Sequence, residues 1–407
     1  INIATGAGGF TIGGTNPADR NVISGNTGTG ITLDTSTGNV IFGNYIGTDA
    51  AGTAQRANTV DGIGLFGATA NTIGGAGAGE RNVISGNARY AVMLDASSGN
   101  FIRGNSIGVD VSGAAALGNG NSGVSLRNAS VNNVVGGAGA GNVIGGNLNG
   151  VTVEGAGSTG NAIQGNWIGT DTTGTINLGN QQEGVEVYNS AANTLIGGTL
   201  AGEGNTIAFN GTALWDGVWI DASSSGNRIL RNAIYANAAL GIDLGIDGVT
   251  ANDAGVGDAD GGANNLQNYP ALASAISTTT QVTVAGTLDS AVGGTFRLEF
   301  FANTAADPSG HGEGQRYLGF VDVTDGGVGD LNPAAGIIGF SATIVAPVTP
   351  GELIAATATN LATNDTSEFS ANVLIVAAQV RITANDPAAA GPANDGQFTV
   401  SLSAPSA

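Results

Sequence analysis

The chain of 407 residues has no cysteine and no lysine, one histidine, one methionine, and aromatic residues at only 5%. Without cysteine there is no disulfide framework, and nothing in the chain records a redox compartment. All eleven basic residues are arginine, which leaves a lyase, with its need for a Lys or Arg base, few residues to use. No run of about 18 apolar residues occurs, so the sequence predicts no membrane span. Charged residues are scarce at 10%, and Asp and Glu outnumber Arg by 31 to 11, for a formal charge of −20. Such a surface repels nucleic acid and anionic lipid head groups, resists aggregation and attracts divalent cations. What the chain has in excess is asparagine and glycine, the latter 71 residues. At about 1 kcal/mol per Gly relative to Ala, that frequency excludes long helices. No signal-peptide pattern is present, and the chain opens on Ile1-Asn2-Ile3 as though inside an element, which predicts an upstream segment that has been processed or cut away.

Internal repetition dominates. Asn21-Val22-Ile23-Ser24-Gly25-Asn26 returns at 82–87, at 142–147 and, more weakly, at 205–210, with spacings of 61, 60 and 63 residues. Gly43-Asn44-Tyr45-Ile46-Gly47-Thr48-Asp49 returns in matching phase at 104–110 and 165–171. A shorter pattern of Gly followed by apolar, any and apolar residues begins at Gly30, Gly62, Ala91, Gly123, Gly150, Gly184, Gly217 and Gly241. An Asn-x-aliphatic pattern lies between these, with Ile41, Ile73, Ile84, Ile102, Val135, Ile144, Ile163, Leu195, Ile207 and Ile229 at its third position. Period-two alternation with one side always aliphatic marks short strands with one buried face. Such strands, recurring about every 30 residues, must stack in parallel so that aliphatic side chains of successive coils meet, each contributing roughly 1.5–3 kcal/mol of burial. The recurrent Asn before each strand is expected to shape the turn and to stack into an internal ladder.

These motifs resemble those of the bacterial right-handed parallel β-helix repeat proteins, which include the pectate-lyase-like superfold and the β-helix modules of large secreted or surface proteins. The resemblance covers roughly residues 1–247. It implies an all-β fold, a right-handed parallel β-helix of about eight coils, and says little about activity, because that fold hosts lyases, hydrolases, adhesins and inert stalks. From Gly245 to Pro270 the pattern breaks into an acidic Gly/Asp/Asn linker, assigned to 248–272 and preceded by Asp247. Strand-like runs then resume at 281–286, 295–302, 317–323, 337–344, 352–359 and 368–376, which predicts an immunoglobulin/fibronectin-like β-sandwich over 273–378. Residues 379–407, with strand candidates at 380–384 and 397–403, are expected to form a partial further β module or tail.

Two places offer chemistry. The outward residues of the Gly-initiated strands run Thr32, Gly64, Met93, Ser125, Thr152, Glu186, Trp219 and Asp243, and the residue after each strand includes Arg127, Glu154, Tyr188 and Asp221. Glu186, Asp221 and Asp243, with Arg127 at one end and Tyr188 and Trp219 as platforms for sugar rings, are what a polysaccharide lyase or glycoside hydrolase on the outer face would use. Positions two coils apart are about 10 Å apart, close to the roughly 6.5–9.5 Å of an inverting carboxylate pair. The competing expectation is a solvated acidic face, on which Thr152 is exposed. In the linker, Asp258, Asp260 and Asn264 present hard oxygen donors around a glycine turn, suited to Ca2+ but lacking the closing Glu of an EF-hand loop. Asp49, Asp110 and Asp171 are expected to cap turns, and His311 sits in a loop without a nucleophile pattern. The function expected from these features is a non-catalytic structural or adhesive module of a large extracellular bacterial protein, stiffened by calcium and assembling end to end. Its partners would be other copies or further domains of the same protein, or a polysaccharide.

Overall fold

Strand segments of two to four residues with one aliphatic face gain little alone, and here they stack. The computed structural model describes residues 1–212, 214–245, 248–253, 257–258, 260–278, 280–384 and 398–403, so Asp247 and Gln397 of the expectations above lie outside the described residues. Up to Leu244 the chain forms three parallel sheets of nine, eight and eight strands. The first runs from Asn2–Ile3 to Ile242–Leu244, the second from Thr11–Gly13 to Arg228–Leu230, and the third from Val22–Ile23 to Ala233–Tyr235. Each strand pairs with its equivalents one coil before and one coil after, in register, so that Leu33, Leu65, Leu94 and Leu126 form a column. This is a parallel β-helix of about eight coils, roughly 40 Å long at about 4.8 Å per step.

Ile41, Ile73, Ile102, Val135 and Ile163 line the inside of the second sheet, and Ile46, Ile84, Ile107, Ile144 and Ile168 that of the third, all fully buried. One expected position is displaced. Ile196 follows Ile163 in the inner column, while Leu195 turns outward. The Asn193 that suggested Leu195 stands one residue early, and Thr194 holds the turn position that Asn161 holds one coil below.

Asparagine forms three internal ladders. Two of them flank the third-sheet strands, the two Asn five residues apart at 21/26, 82/87, 142/147, 205/210 and 232/237 and 14 apart at 44/58, 105/119 and 166/180. One ladder runs from Asn21 through Asn44, Asn82, Asn105, Asn142, Asn166 and Asn205 to Asn232. The other runs from Asn26 through Asn58, Asn87, Asn119, Asn147, Asn180 and Asn210 to Asn237. At each rung the Nδ2 amide donates to the Oδ1 of the next coil, which at every rung but Asn58–Asn87 also accepts a backbone N–H, as where Asn142 Oδ1 receives Asn105 Nδ2 at 3.0 Å and Asn105 N at 2.9 Å. The third ladder, before the second sheet, links Asn39, Asn71, Asn100, Asn133 and Asn161, then breaks at Thr194 and resumes from Asn227 to Asn264. Asp49, Asp110 and Asp171 each accept backbone N–H groups four and five residues ahead, as turn caps.

Glycine is required where coils touch. A Cβ on Gly150 would stand 2.3 Å from the Gly184 carbonyl oxygen, and Gly169, at φ +82°, would place one 2.1 Å from that of Ala208.

The chain after the β-helix covers its last coil. A seven-stranded mixed sheet has the order Arg316–Thr324, Thr295–Asn303, Leu353–Asn360, Val373–Ala377, Ala271–Ser277, Val282–Asp289 and Ile337–Ile344. It curls until its two outermost strands lie against each other, enclosing a core of its own as the two faces of a sandwich would. Ala271–Ser277 is a strand the sequence pattern did not reveal, whereas Glu368 to Ser370, expected as strand, precedes Val373–Ala377 and packs against the β-helix. The N–H groups of the last coil find side-chain acceptors there: Glu368 takes those of Leu244 and Thr250, Glu313 those of Ala236 and Asn237, and Glu299 that of Arg231. Asp365 and Thr366 take those of Gly226 and Ile229, and Phe301 and Phe369 join the β-helix core. Gln379–Ala384 and Phe398–Ser403 pair as an antiparallel ribbon.

Candidate functional site

Thr152, Glu186, Trp219 and Asp243 stand side by side in register on the outside of the first sheet, and Arg127, Glu154 and Tyr188 in a parallel column. The face is not a solvated one. Met93, Ser125, Thr152 and Asp243 are all buried, because the segments entering each first-sheet strand fold across it, as where Ser122 reaches Thr152. Over the last coils this cover leaves a cavity of about 350 Å³ lined by Glu183, Glu186, Leu214, Trp215, Asp216, Trp219 and Asp243.

Three of the residues named from the sequence, Glu186, Trp219 and Asp243, therefore meet. The others are engaged elsewhere. Asp221 caps a turn, accepting the N–H of Asn189 and of Ser223. Arg127 is paired with Asp95 at 3.0 Å. Tyr188 faces Glu154 and Glu186, and burial and those carboxylates push its hydroxyl pKa up. Glu183 and Asp216, both buried, were missed. They occupy the position just before the Gly that opens each strand, the place of Asp61, Ser122 and Asn149 in lower coils. A third column read at that position would have found them.

The cavity is acidic. Burial, then Asp216, Glu186 and Asp243, push Glu183 up to about 9. Burial, followed by Glu154 and Asp221, raises Glu186 to about 7. Asp216 is raised to about 7 by burial and by Asp243, against the Leu240 N–H that it accepts. Glu183 Oε2 has no hydrogen-bond partner, while Glu186 accepts Asn149 Nδ2 at 3.0 Å. The Trp219 indole N–H donates to the Gly245 carbonyl, so this residue offers the cavity its ring. Among the described residues no arginine, lysine or histidine lines the space.

A second acidic group lies in the linker, where Asp253, Asp258 and Asp260 bring one carboxylate oxygen each within 4.8 Å of one another, a set able to hold a metal ion. Asp258 Oδ2 accepts Ser290 Oγ and Gln267 Nε2, leaving Oδ1 without a partner, as is Asp260 Oδ1. Burial raises Asp258 to about 6 despite those hydrogen bonds. Asn264, named with Asp258 and Asp260 as a ligand, is used otherwise. It is the last rung of the broken ladder, its Oδ1 taken by Asn227 and its Nδ2 donated to Asn227 and Thr366. Asp253 stands in the set instead. His311 packs edge-on against Tyr269 and contacts the Phe369 carbonyl.

Among the described residues no helix is long and apolar enough to cross a membrane. No protein-family model, no curated protein and no solved structure matches this chain.

Proposed function

We propose that the chain is a non-catalytic structural or adhesive module of a large secreted or surface protein of a bacterium. It acts as a rigid rod between further domains or copies of the same protein, with Ca2+ at Asp253, Asp258 and Asp260 stiffening the junction of rod and cap. The observation that carries this is the capped last coil, whose N–H groups are bonded by Glu299, Glu313, Asp365, Thr366 and Glu368 of the following module. A rod transmits load only if its coils do not fray from the end, and carboxylate acceptors on buried N–H groups resist fraying. Hard, partner-poor carboxylate oxygens suit Ca2+, which takes 6–8 oxygen ligands at about 2.3–2.6 Å, the remainder supplied by water or carbonyls. Chelation is expected to lower the melting temperature by several degrees, and Asp258→Ala with Asp260→Ala to abolish the difference. Equal melting with calcium and with chelator would remove the metal from the proposal.

Hydrolysis of a polysaccharide is the second function, favoured by the cavity, where raised carboxyls stand beside indole rings. A lyase is disfavoured, because Arg127 is tied to Asp95 and there is no Lys. Release of reducing ends from any polysaccharide, lost in Glu186→Gln or Asp243→Asn, would establish the hydrolase in place of the inert rod.

A further inference from the structure

The cavity over the last coils combines features that a spacer does not need. Four carboxyl groups, Glu183, Glu186, Asp216 and Asp243, line it beside the rings of Trp215 and Trp219, with no cationic side chain among the described lining residues. Glu183, which lines this space, is only 3% exposed, and its Oε2 has no hydrogen-bond partner. Burying acidic groups against one another is costly unless a cation or a proton joins them. A cation is therefore the complement of this cavity. It is not a bare metal ion, because among the described residues Asp253, Asp258 and Asp260 are the group whose oxygens converge within 4.8 Å, and the cavity's carboxylates do not. A wider spacing, indole faces and a volume of about 350 Å³ suit an organic cation, since ligand pockets begin at roughly 300 Å³ and ammonium groups are attracted to Trp faces.

We propose that this cavity binds a small organic ammonium ion, a protonated primary diamine, through Glu183, Asp216 and Asp243, with its methylene chain against Trp215 and Trp219. Two ammonium groups match several carboxylates better than one, and the alkyl segment between them uses the apolar surface of the indoles and Leu214. Binding a cation favours the ionised carboxylates, so the complex releases protons near neutral pH, where burial holds Glu183, Glu186 and Asp216 partly or fully protonated. This proposal is independent of the mechanical role and goes beyond it.

The test is titration calorimetry of the whole chain with 1,4-diaminobutane near neutral pH, in two buffers of different ionisation enthalpy, with tryptophan fluorescence recorded in parallel. The expected result is saturable one-to-one binding, a buffer-dependent heat that reports proton release, and a fluorescence change lost in Trp219→Leu. Glu183→Gln with Asp216→Asn should weaken binding at least about tenfold, which is about 1.4 kcal/mol. The same variant should melt higher than the parent near neutral pH, since it removes two carboxyl groups that must take up a proton, or be desolvated as anions, on folding. A merely structural role would not couple weaker binding to greater stability. Absence of heat at millimolar diamine overturns the proposal, as does binding that the double variant leaves intact. Equal or tighter binding of a neutral disaccharide overturns it in favour of a glycan pocket, and competition by equimolar Ca2+ in favour of a metal site.

Discussion

At the scale of single residues, asparagine does in this chain what aliphatic stacking cannot do alone: it fixes the turn geometry and satisfies buried backbone groups at the corners of every coil. Asn142 is typical, with four bonds joining Asn105, Ile102 and Asn166 at 2.8–3.0 Å. Replacing it by Ala leaves the Asn105 N–H without its acceptor, takes one of three acceptors from Asn105 Nδ2, and removes the amide donor to the Ile102 carbonyl, all in a buried site. The expected cost is about 3 kcal/mol, given roughly 1–3 kcal/mol for each buried group left unmade. The broken rung offers the converse experiment. Thr194 is buried, its hydroxyl has no partner, and Asn161 below finds no side-chain acceptor on the next coil. Thr194→Asn should restore the ladder from Asn39 to Asn264 and stabilise the fold by about 1 kcal/mol, as one added hydrogen bond allows. Denaturant unfolding of both variants checks the pair. A stabilising Asn142→Ala or a destabilising Thr194→Asn would show that the ladders are a consequence of stacking and not a contributor to it.

At the scale of elements, the β-helix and most strands of the module after it were legible, and the capping contacts were not, for a definite reason. Coils repeat, so Ile41, Ile73 and Ile102 betray one another in sequence, and the recurrent Asn marks each corner. The module that follows has no repeat. Its outer strands could be read from alternation, but Ala271–Ser277 reads as small and polar, and Glu368 to Ser370 looks like strand while serving the last coil. Acceptors such as Glu299 and Glu313 lie 68 and 77 residues from the amides that they bond, Arg231 and Ala236, a separation no local pattern encodes. The same holds for the cavity, where the register of Glu186, Trp219 and Asp243 followed from the repeat, but burial of that face did not. These long-range bonds define what capping should do. Glu313→Ala is expected to speed hydrogen exchange at Ala236 and Asn237 at least about tenfold, roughly 1.4 kcal/mol of local opening, with little change at Ser106 or Val143 in the middle of the rod. Uniform acceleration along the whole chain would mean that the end coil unfolds only with the rest.

At the scale of the whole molecule, the acidic composition becomes a prediction about pH. Among the described residues ten carboxyl groups are raised, chiefly by burial, Asp61, Asp260 and Asp289 among them, and seven are raised furthest: Glu183 to about 9, Glu368 to about 8, Glu186, Asp216, Glu299 and Glu313 to about 7, and Asp258 to about 6. A folded-state pKa above the unfolded value means that the folded chain binds more protons, so stability is fully present below the unfolded carboxyl range and is lost as pH rises through the folded values. Asp171 works in the opposite sense. Burial pushes it up, but the hydrogen bonds from Ile176, Thr173 and Thr175 outweigh this and hold it near about 2, so its contribution is present above the unfolded pKa and lost in stronger acid. The two trends place the maximum of stability near pH 4–5 and require a continuous fall from there to about pH 9. Melting temperatures measured with calcium chelated should follow that course, and Glu183→Gln should flatten the alkaline part of it. Surface repulsion at a net charge of −20 would also weaken the fold as pH rises, but salt separates the two causes. At about 1 M salt the screening length is roughly 3 Å, which suppresses repulsion between exposed charges and leaves the desolvation of buried ones nearly untouched. The fall toward alkaline pH should therefore persist in high salt. Its disappearance there would assign it to the surface and leave Glu183, Asp216 and Glu368 with ordinary titrations.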